Sequence, residues 1–455
     1  MLDVIDNEKY RRHREARTSG SSFETLQHEI LLPVLLFGSI GAITWAIRGS
    51  NGWGGIDGTI LPGMTWGLLW YYLCYRKGID AREIPLWLGL GIAIGGELGY
   101  GQYVSWIRGL FNVGDEIIDV APWIGWVWFV LAGIGWGATG AIALGWALGG
   151  KASPERWLFR LVVPAGIAYL GLLTVRESPA WFFPNYGLGI YAVEADEHLG
   201  RTVYTNTQNF TVVAWWLGAL LVALFQKDRA TLTVGLLVGG GFGAGFALGA
   251  LWCLGYGYAP TYIDWWKMWE LNAGFNLGLL YVIALNWSIR QVDNNHDADG
   301  RPLADIGGLP EIPDRRRNLS LLLSVYLLLF ITFRGVSLTV GGLLGFYDAN
   351  TVEQYSWPPA REALFLPAAA LLTGITILNV WRIVRSSAPA EHRRFGTVRL
   401  PERLTDLMAG MTVVGAISIW PAKISVLYAL FLCVALFAFN RLNRHYDGID
   451  APSAG

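Results

Sequence analysis

Apolar residues in this chain come in long runs, separated by short segments that hold most of the charge. Twelve runs reach the roughly 20 residues that a helix needs to cross a hydrocarbon core. They lie near 29–47, 59–75, 84–102, 122–148, 158–175, 208–225, 230–254, 266–288, 318–340, 363–384, 403–420 and 424–440. The pattern predicts an all-α polytopic membrane protein with about 12 transmembrane helices.

The charges between the runs set an orientation. Lys and Arg near spans mark the cytoplasmic side. With the N-terminus inside, the inner segments hold 26 of the 34 Lys and Arg residues, and every even-numbered junction is basic. The exceptions are Arg48, Arg108, Arg176, Arg201, Lys267, Arg334, Arg361 and Lys423. Both termini are therefore expected in the cytoplasm, with the chain in the plasma membrane. Met1–Gln27 carries Lys9, Arg11, Arg12, Arg14 and Arg17 and reads as a tail. The apolar run after it is too long for the h-region of a cleavable signal.

Composition narrows the class. Charged residues are 15% of the chain and hydrophobic residues 53%, with a mean hydropathy of +0.38. Soluble domains carry roughly 25% charge, so a soluble globular enzyme, a disordered chain and a disulfide scaffold are excluded. A net charge of −1 gives no field for a nucleic-acid partner. Cys74, Cys253 and Cys433 are isolated from one another and from His, and read as small core residues. No metal or other cofactor is expected. The glycine-rich stretch at 239–245 lacks the GK[ST] ending of a phosphate loop. The segment 294–317 lacks calcium-loop spacing and a closing Glu.

Similar segments suggest an internal repeat. AITWAIRGSNGW, LLTVRESPAW and LFITFRGVSL each bring an apolar helix to an Arg: Arg48, Arg176 and Arg334. GLGIAIGGELGYG resembles GLLVGGGFGAGFALG. The unit is a four-helix block, and an even helix number makes the copies parallel. This gives a basic tail at 1–28, repeats at 29–150, 151–290 and 318–441, a cytoplasmic linker at 291–317, and a second tail at 442–455. Gly91, Gly95 and Gly99, like Gly241, Gly245 and Gly249, recur every fourth residue and read as close-packing stripes.

Charges within spans are costly and carry the functional candidates. Glu97 sits in the third run, where it could carry a coupling proton; an interhelical ion pair is the structural alternative. Arg48 with Asp57, Arg176 with Glu177, and Arg334 are expected at an outer vestibule, where guanidinium forks bind anions. Snorkelling to the interface would explain them equally. Glu270, Asn272 and Asn276 share the start of the eighth span. Lys267 three residues before Glu270 suggests an internal pair. The 23 Trp residues are expected mainly in an interfacial belt. Some of them, Trp45, Trp66, Trp70 and Trp266 among these, lie near polar candidates and suit a sugar ring.

These features favour a transporter for a small polar solute, anionic or carbohydrate-like, coupled to protons or another ion. Its partners would be membrane lipids and that solute, with a second copy or a complex subunit as further options. A membrane-embedded transferase or hydrolase acting on a lipid or lipid-linked sugar is the alternative class. None of the six His residues lies well inside a run, which disfavours His-based acyl transfer. A structural subunit of a membrane complex is the third.

Overall fold

A computed structural model describes residues 2–4, 6–47, 55–96, 98–99, 101–113, 115–149, 152–192, 197–258, 263–296, 316–328 and 422–450. The described residues are 84% helical. Seven of the helices among them are long and apolar enough to cross a membrane: Ser22–Ala46, Pro122–Leu148, Pro154–Glu177, Thr202–Phe225, Arg229–Gly257, Trp265–Asn295 and Val426–Asp450. The tenth and eleventh predicted spans, the ninth beyond residue 328, and linker residues 297–315 lie outside the described residues.

The chain divides into two compact units, one of Leu90–Leu280 and one of Leu2–Gly89 with Tyr281–Gly455. The helices are numbered here in chain order. They are α1 (Asn7–Ser19), α2 (Ser22–Ala46), α3 (Gly55–Arg76), α4 (Ile84–Gly95), α5 (Tyr103–Trp106) and α6 (Pro122–Leu148). They continue with α7 (Pro154–Glu177), α8 (Glu197–Phe225), α9 (Arg229–Gly257), α10 (Trp265–Asn295) and α11 (Ala422–Asp450).

In the first unit α6 is the hub. Its glycines let neighbours approach to backbone distance, which strengthens dispersion contacts where no water drives association. A Cβ on Gly133 would meet Phe246 Cβ at 2.5 Å, and one on Gly145 would meet Thr231 Cα at 2.5 Å, both on α9. A Cβ on Gly91 of α4 would meet Ala143 at 2.5 Å. The second stripe packs α9 on α10: Gly241 faces Leu280, Gly245 faces Asn276, and Gly249 faces Asn272 and Trp269. A π-helical turn, Gly235–Gly240, interrupts α9, and the indole of Trp216 donates to the Gly235 carbonyl at 3.0 Å. Along α7, Leu158, Phe159, Leu161, Val162, Tyr169 and Leu170 are exposed, the kind of surface that hydrocarbon covers.

In the second unit, α2 packs on α3 and α11. α2 also contains a π turn, Gln27–Leu31, and the Asn286 amide donates to the Glu29 carbonyl at 2.8 Å. Strand β1 (Asp3–Val4) pairs antiparallel with β2 (Ile79–Asp80) and ties the N-terminus to the turn after α3. The buried Asp80 is gripped there by Arg82 (2.9 and 2.7 Å) and Arg317 (2.5 Å).

Three local expectations are corrected. The third apolar run is not one continuous helix; α4 stops at Gly95, because Gly95, Gly96, Gly99 and Gly101 crowd the following stretch and glycine is a poor helix former. Tryptophan is not confined to an interfacial belt: Trp45, Trp66, Trp70, Trp106, Trp136 and Trp269 are fully buried inside the protein. Cys74 and Cys253 are core residues, but Cys433 is exposed.

Candidate functional site

The site begins with the length of α4. Twelve residues at 1.5 Å each span about 18 Å, well short of a hydrocarbon core of about 30 Å. Gly96 N–H and Leu98 N–H donate back to Ala93 and Gly95 at 2.8 and 3.1 Å, closing the helix end. The chain turns helical again only at Tyr103. Gln102 fixes this restart: its amide donates to the Asn112 carbonyl (2.8 Å) and accepts from Asn112 N–H (3.0 Å), next to the hairpin of β3 (Leu110–Val113) and β4 (Glu116–Asp119). Irregular backbone of this kind persists at membrane depth only where protein buries it or it lines a cavity.

Against the break lies the polar face of α8. Thr202, Thr205, Asn206 and Asn209 follow the i, i+3, i+4, i+7 spacing of one helix face, and all are at most 2% exposed. Asn209 Nδ2 donates to its own helix at Thr205 O (2.9 Å) and to Gly99 O in the break (3.3 Å). Tyr103 OH donates to the same Gly99 carbonyl at 3.4 Å. Gly99 and Gly101 are necessary here. A Cβ on Gly99 would lie 2.5 Å from Thr205 Cγ2, and one on Gly101 would lie 2.6 Å from Asn206 Oδ1.

This face is under-satisfied. Neither amide atom of Asn206 has a hydrogen-bond partner, and Asn209 Oδ1 and Thr139 Oγ1 also lack one. Leaving a buried polar group unpaired costs about 1–3 kcal/mol, so two such groups on α8 and one on α6 form a local deficit. It suits a guest carrying both hydrogen-bond donors and acceptors. The described lining is neutral. An aromatic ladder leads away from it, with Tyr103 against Phe129 (4.9 Å) and Phe129 against the buried Trp269 (5.3 Å).

The charged candidates on α10 form a closed group. Glu270 is 2% exposed and accepts from Lys267 Nζ at 2.5 Å and from Trp266 Nε1 at 3.0 Å. The internal Lys267–Glu270 pair expected from spacing is thus present. Asn276 donates to the Gly245 carbonyl (2.8 Å) and to Asn272 Oδ1 (3.1 Å). The first of these bonds ties α10 to α9, and the second lies along α10 itself.

The other candidates are placed unevenly. Arg176 and Glu177 are exposed at the end of α7. Arg48, Glu97 and Arg334 lie outside the described residues, as does the side chain of Asp57 on α3. The vestibule of three arginines is therefore not on view, whereas Asn272 and Asn276 meet each other against α9 and Glu270 pairs separately with Lys267 and Trp266. The buried α8 face is absent from the residues singled out by sequence. Its signal, T-x-x-T-N-x-x-N at 202–209, was readable, but the sixth apolar run begins at 208 and left most of it in a loop.

No protein family, curated protein or solved structure matches the chain.

Proposed function

We propose that the protein is a membrane transporter for a small polar solute, which binds between the α4–α5 break and the Thr202–Asn209 face of α8. The observation that carries this reading is Asn206, fully buried with both amide atoms unpartnered, beside a twelve-residue helix too short to cross a hydrocarbon core on its own. Discontinuous helices around a midplane site are a recurrent transporter device. The hydroxyl and amide groups of the described lining, beside aromatic rings, support an uncharged, carbohydrate-like solute over an anion. Glu97 belongs to the break by sequence, and we assign it proton coupling. Arg48, Asp57, Arg176, Glu177 and Arg334 are assigned to an outer vestibule.

In this reading the chain has twelve spans in three parallel four-helix repeats, within the plasma membrane, and both ends are cytoplasmic. The basic even-numbered junctions support that topology. The contact of α1 with the last turn of α11, through His13 and Asp450 at 3.2 Å, supports a shared side for the two ends.

The test is a thermal-shift panel on purified protein: sugars, polyols, organic acids and lipid-linked sugars. A soluble polyol or sugar should stabilise the protein by about 2.7 kcal/mol at 100 times its Kd, and Asn206→Ala should weaken it at least about tenfold, or 1.4 kcal/mol. A soluble hit indifferent to Asn206→Ala would remove this site. Chemical turnover of a lipid-linked compound in detergent, without two compartments, would replace the transporter with the transferase or hydrolase reading.

A further inference from the structure

The second unit matches its charges internally. His13, His28 and His445 meet around a cavity of about 140 Å³. The cations beside it are paired: Arg17 with Asp293, Arg76 with Asp447 and Asp450, and Lys77 with Glu29. One end of the first unit is built differently. There the end of α6, the start of α7, the end of α8 and the start of α9 come together.

Asp228 is the centre of that end, and its oxygens are engaged. Oδ1 accepts from Thr231 N–H at 3.1 Å and caps α9. Oδ2 accepts from Thr231 Oγ1 at 2.6 Å and from Arg160 Nη2 at 2.8 Å. A Cβ on Gly149, just past α6, would meet Oδ1 at 2.9 Å. Arg160 is buried; its Nε donates to Gln226 Oε1 at 3.3 Å, and its guanidinium lies over the Trp157 ring at 5.0 Å. Gln226 in turn donates to the Arg156 carbonyl at 3.1 Å. This clamp fixes the start of α7 to the end of α8.

Three exposed cations stand around the clamp: Arg156, Lys227 and Arg229. Among the described residues none of them forms an ion pair, because Asp228 belongs to Arg160. Glu155 is the other carboxylate of this end, and it is exposed. Four cations against two carboxylates leave a positive rim. Lys227 has φ +55°, in the left-handed position after a helix that glycine usually fills. Its charge complements the carbonyl end of α8, but the turn itself does not require lysine.

Beside the rim the surface is apolar. Phe159 lies one helical turn after Arg156, and Val162 one turn further. Leu224 and Phe225 lie just before Lys227 at the end of α8. All four are exposed. A soluble anion would use the rim and leave this wall bare. An amphiphile with a negative head uses both. The basic junctions of the sequence also expect this end on the cytoplasmic side, where the membrane surface is negative.

We propose that this end of the first unit binds an anionic phospholipid. Arg156 and Lys227 hold its phosphate, the first as a fork and the second as a point charge, and Arg229 adds to their field. The acyl chains lie along the exposed faces of α7 and α8. Arg160 and Asp228 stay paired and keep the two helices together. The site is independent of whatever the Thr202–Asn209 face binds.

The experiment titrates the full chain, in neutral detergent, with phosphatidylglycerol and with phosphatidylcholine of the same acyl chains, and counts bound lipids by native mass spectrometry. Each Lys or Arg near an anionic lipid is worth roughly fivefold in affinity, so the first phosphatidylglycerol should bind at least about fivefold more tightly than the first phosphatidylcholine. Arg156→Gln with Lys227→Gly should bring the two lipids within about twofold of each other, since both phosphate contacts are gone. Glycine suits the left-handed turn, so this variant should fold. Arg441→Gln with Arg444→Gln removes as much charge from exposed positions on α11 and should leave the preference intact. Glycerol phosphate in large excess should not displace the lipid. Equal binding of the two lipids would overturn the site. So would a preference that survives in the Arg156→Gln, Lys227→Gly variant, or one lost equally in the α11 variant. Displacement by glycerol phosphate would replace the lipid with a soluble phosphate.

Discussion

The polar face of α8 in the first unit and the terminal network of the second solve opposite problems. Around Asn206 the described groups are neutral, buried and short of partners. Around Asp450 and Glu29 the groups are charged, and each of the two carboxylates meets a cation. Folding alone justifies the second arrangement, since buried charge is tolerable only when paired. It does not justify the first, where apolar side chains of the same shape would be no worse. The difference separates residues that hold the fold from residues that await something else.

The largest effect expected from this contrast is at Lys77. Its side chain and that of Glu29 are 4% and 10% exposed. Lys77→Met strands a buried carboxylate and should cost about 3–5 kcal/mol in denaturant unfolding. The double variant Glu29→Met with Lys77→Met should recover most of it. A loss below about 1 kcal/mol, the level of an exposed pair, would show that this pair is hydrated and would break the comparison.

A smaller effect, of opposite sign, is expected at Asn206. Asn206→Leu removes a group that makes no hydrogen bond, so the unliganded protein should hold its stability or gain up to about 1–3 kcal/mol. A clear loss of stability would mean that Asn206 is an ordinary structural amide.

The smallest effect concerns acid. Burial lowers the pKa of His13, and Arg82 and Arg317 hold Asp80 below the ordinary carboxylate value despite burial, which alone would raise it. For both, the unfolded chain binds more protons than the folded one. Stability therefore falls as pH drops below about 6.5 for the histidine, and again below about 3.8 for the aspartate. Hydrogen exchange should speed up in peptides covering 7–19 between pH 8 and pH 5, after correction for intrinsic rates. Peptides covering 202–209 should change little, because Thr and Asn do not titrate. Equal acceleration in both would blur the distinction between the two regions.

Much of the helical framework was legible because hydrocarbon imposes a simple rule on composition and length. Pro122–Leu148 occupies the very run that predicted it, and the glycine stripe on α9 packs as its spacing suggested, whereas of the first stripe only Gly91 and Gly95 lie on α4 and Gly99 falls in the break. The break after Gly95 was not legible, since hydropathy sums over a window and is blind to four glycines within seven residues. The α8 face escaped for a related reason: Thr202 to Asn209 lowers the mean hydropathy below that of a span, although the helix continues through it. Convergence in space was beyond the sequence altogether. His13, His28 and His445 come from the two ends of the chain, and scarcity of histidine within spans said nothing about where those outside them meet.

The six tryptophans that are fully buried among the described residues have an optical consequence. An indole in a dry, tightly packed interior emits at short wavelength and lies out of reach of quenchers dissolved in lipid or water. A sizeable share of the native fluorescence should therefore come from the protein interior, not from the headgroup region. Its red shift would be a sensitive optical signal of lost core packing, and bromination of the surrounding lipid chains would dim only the remainder.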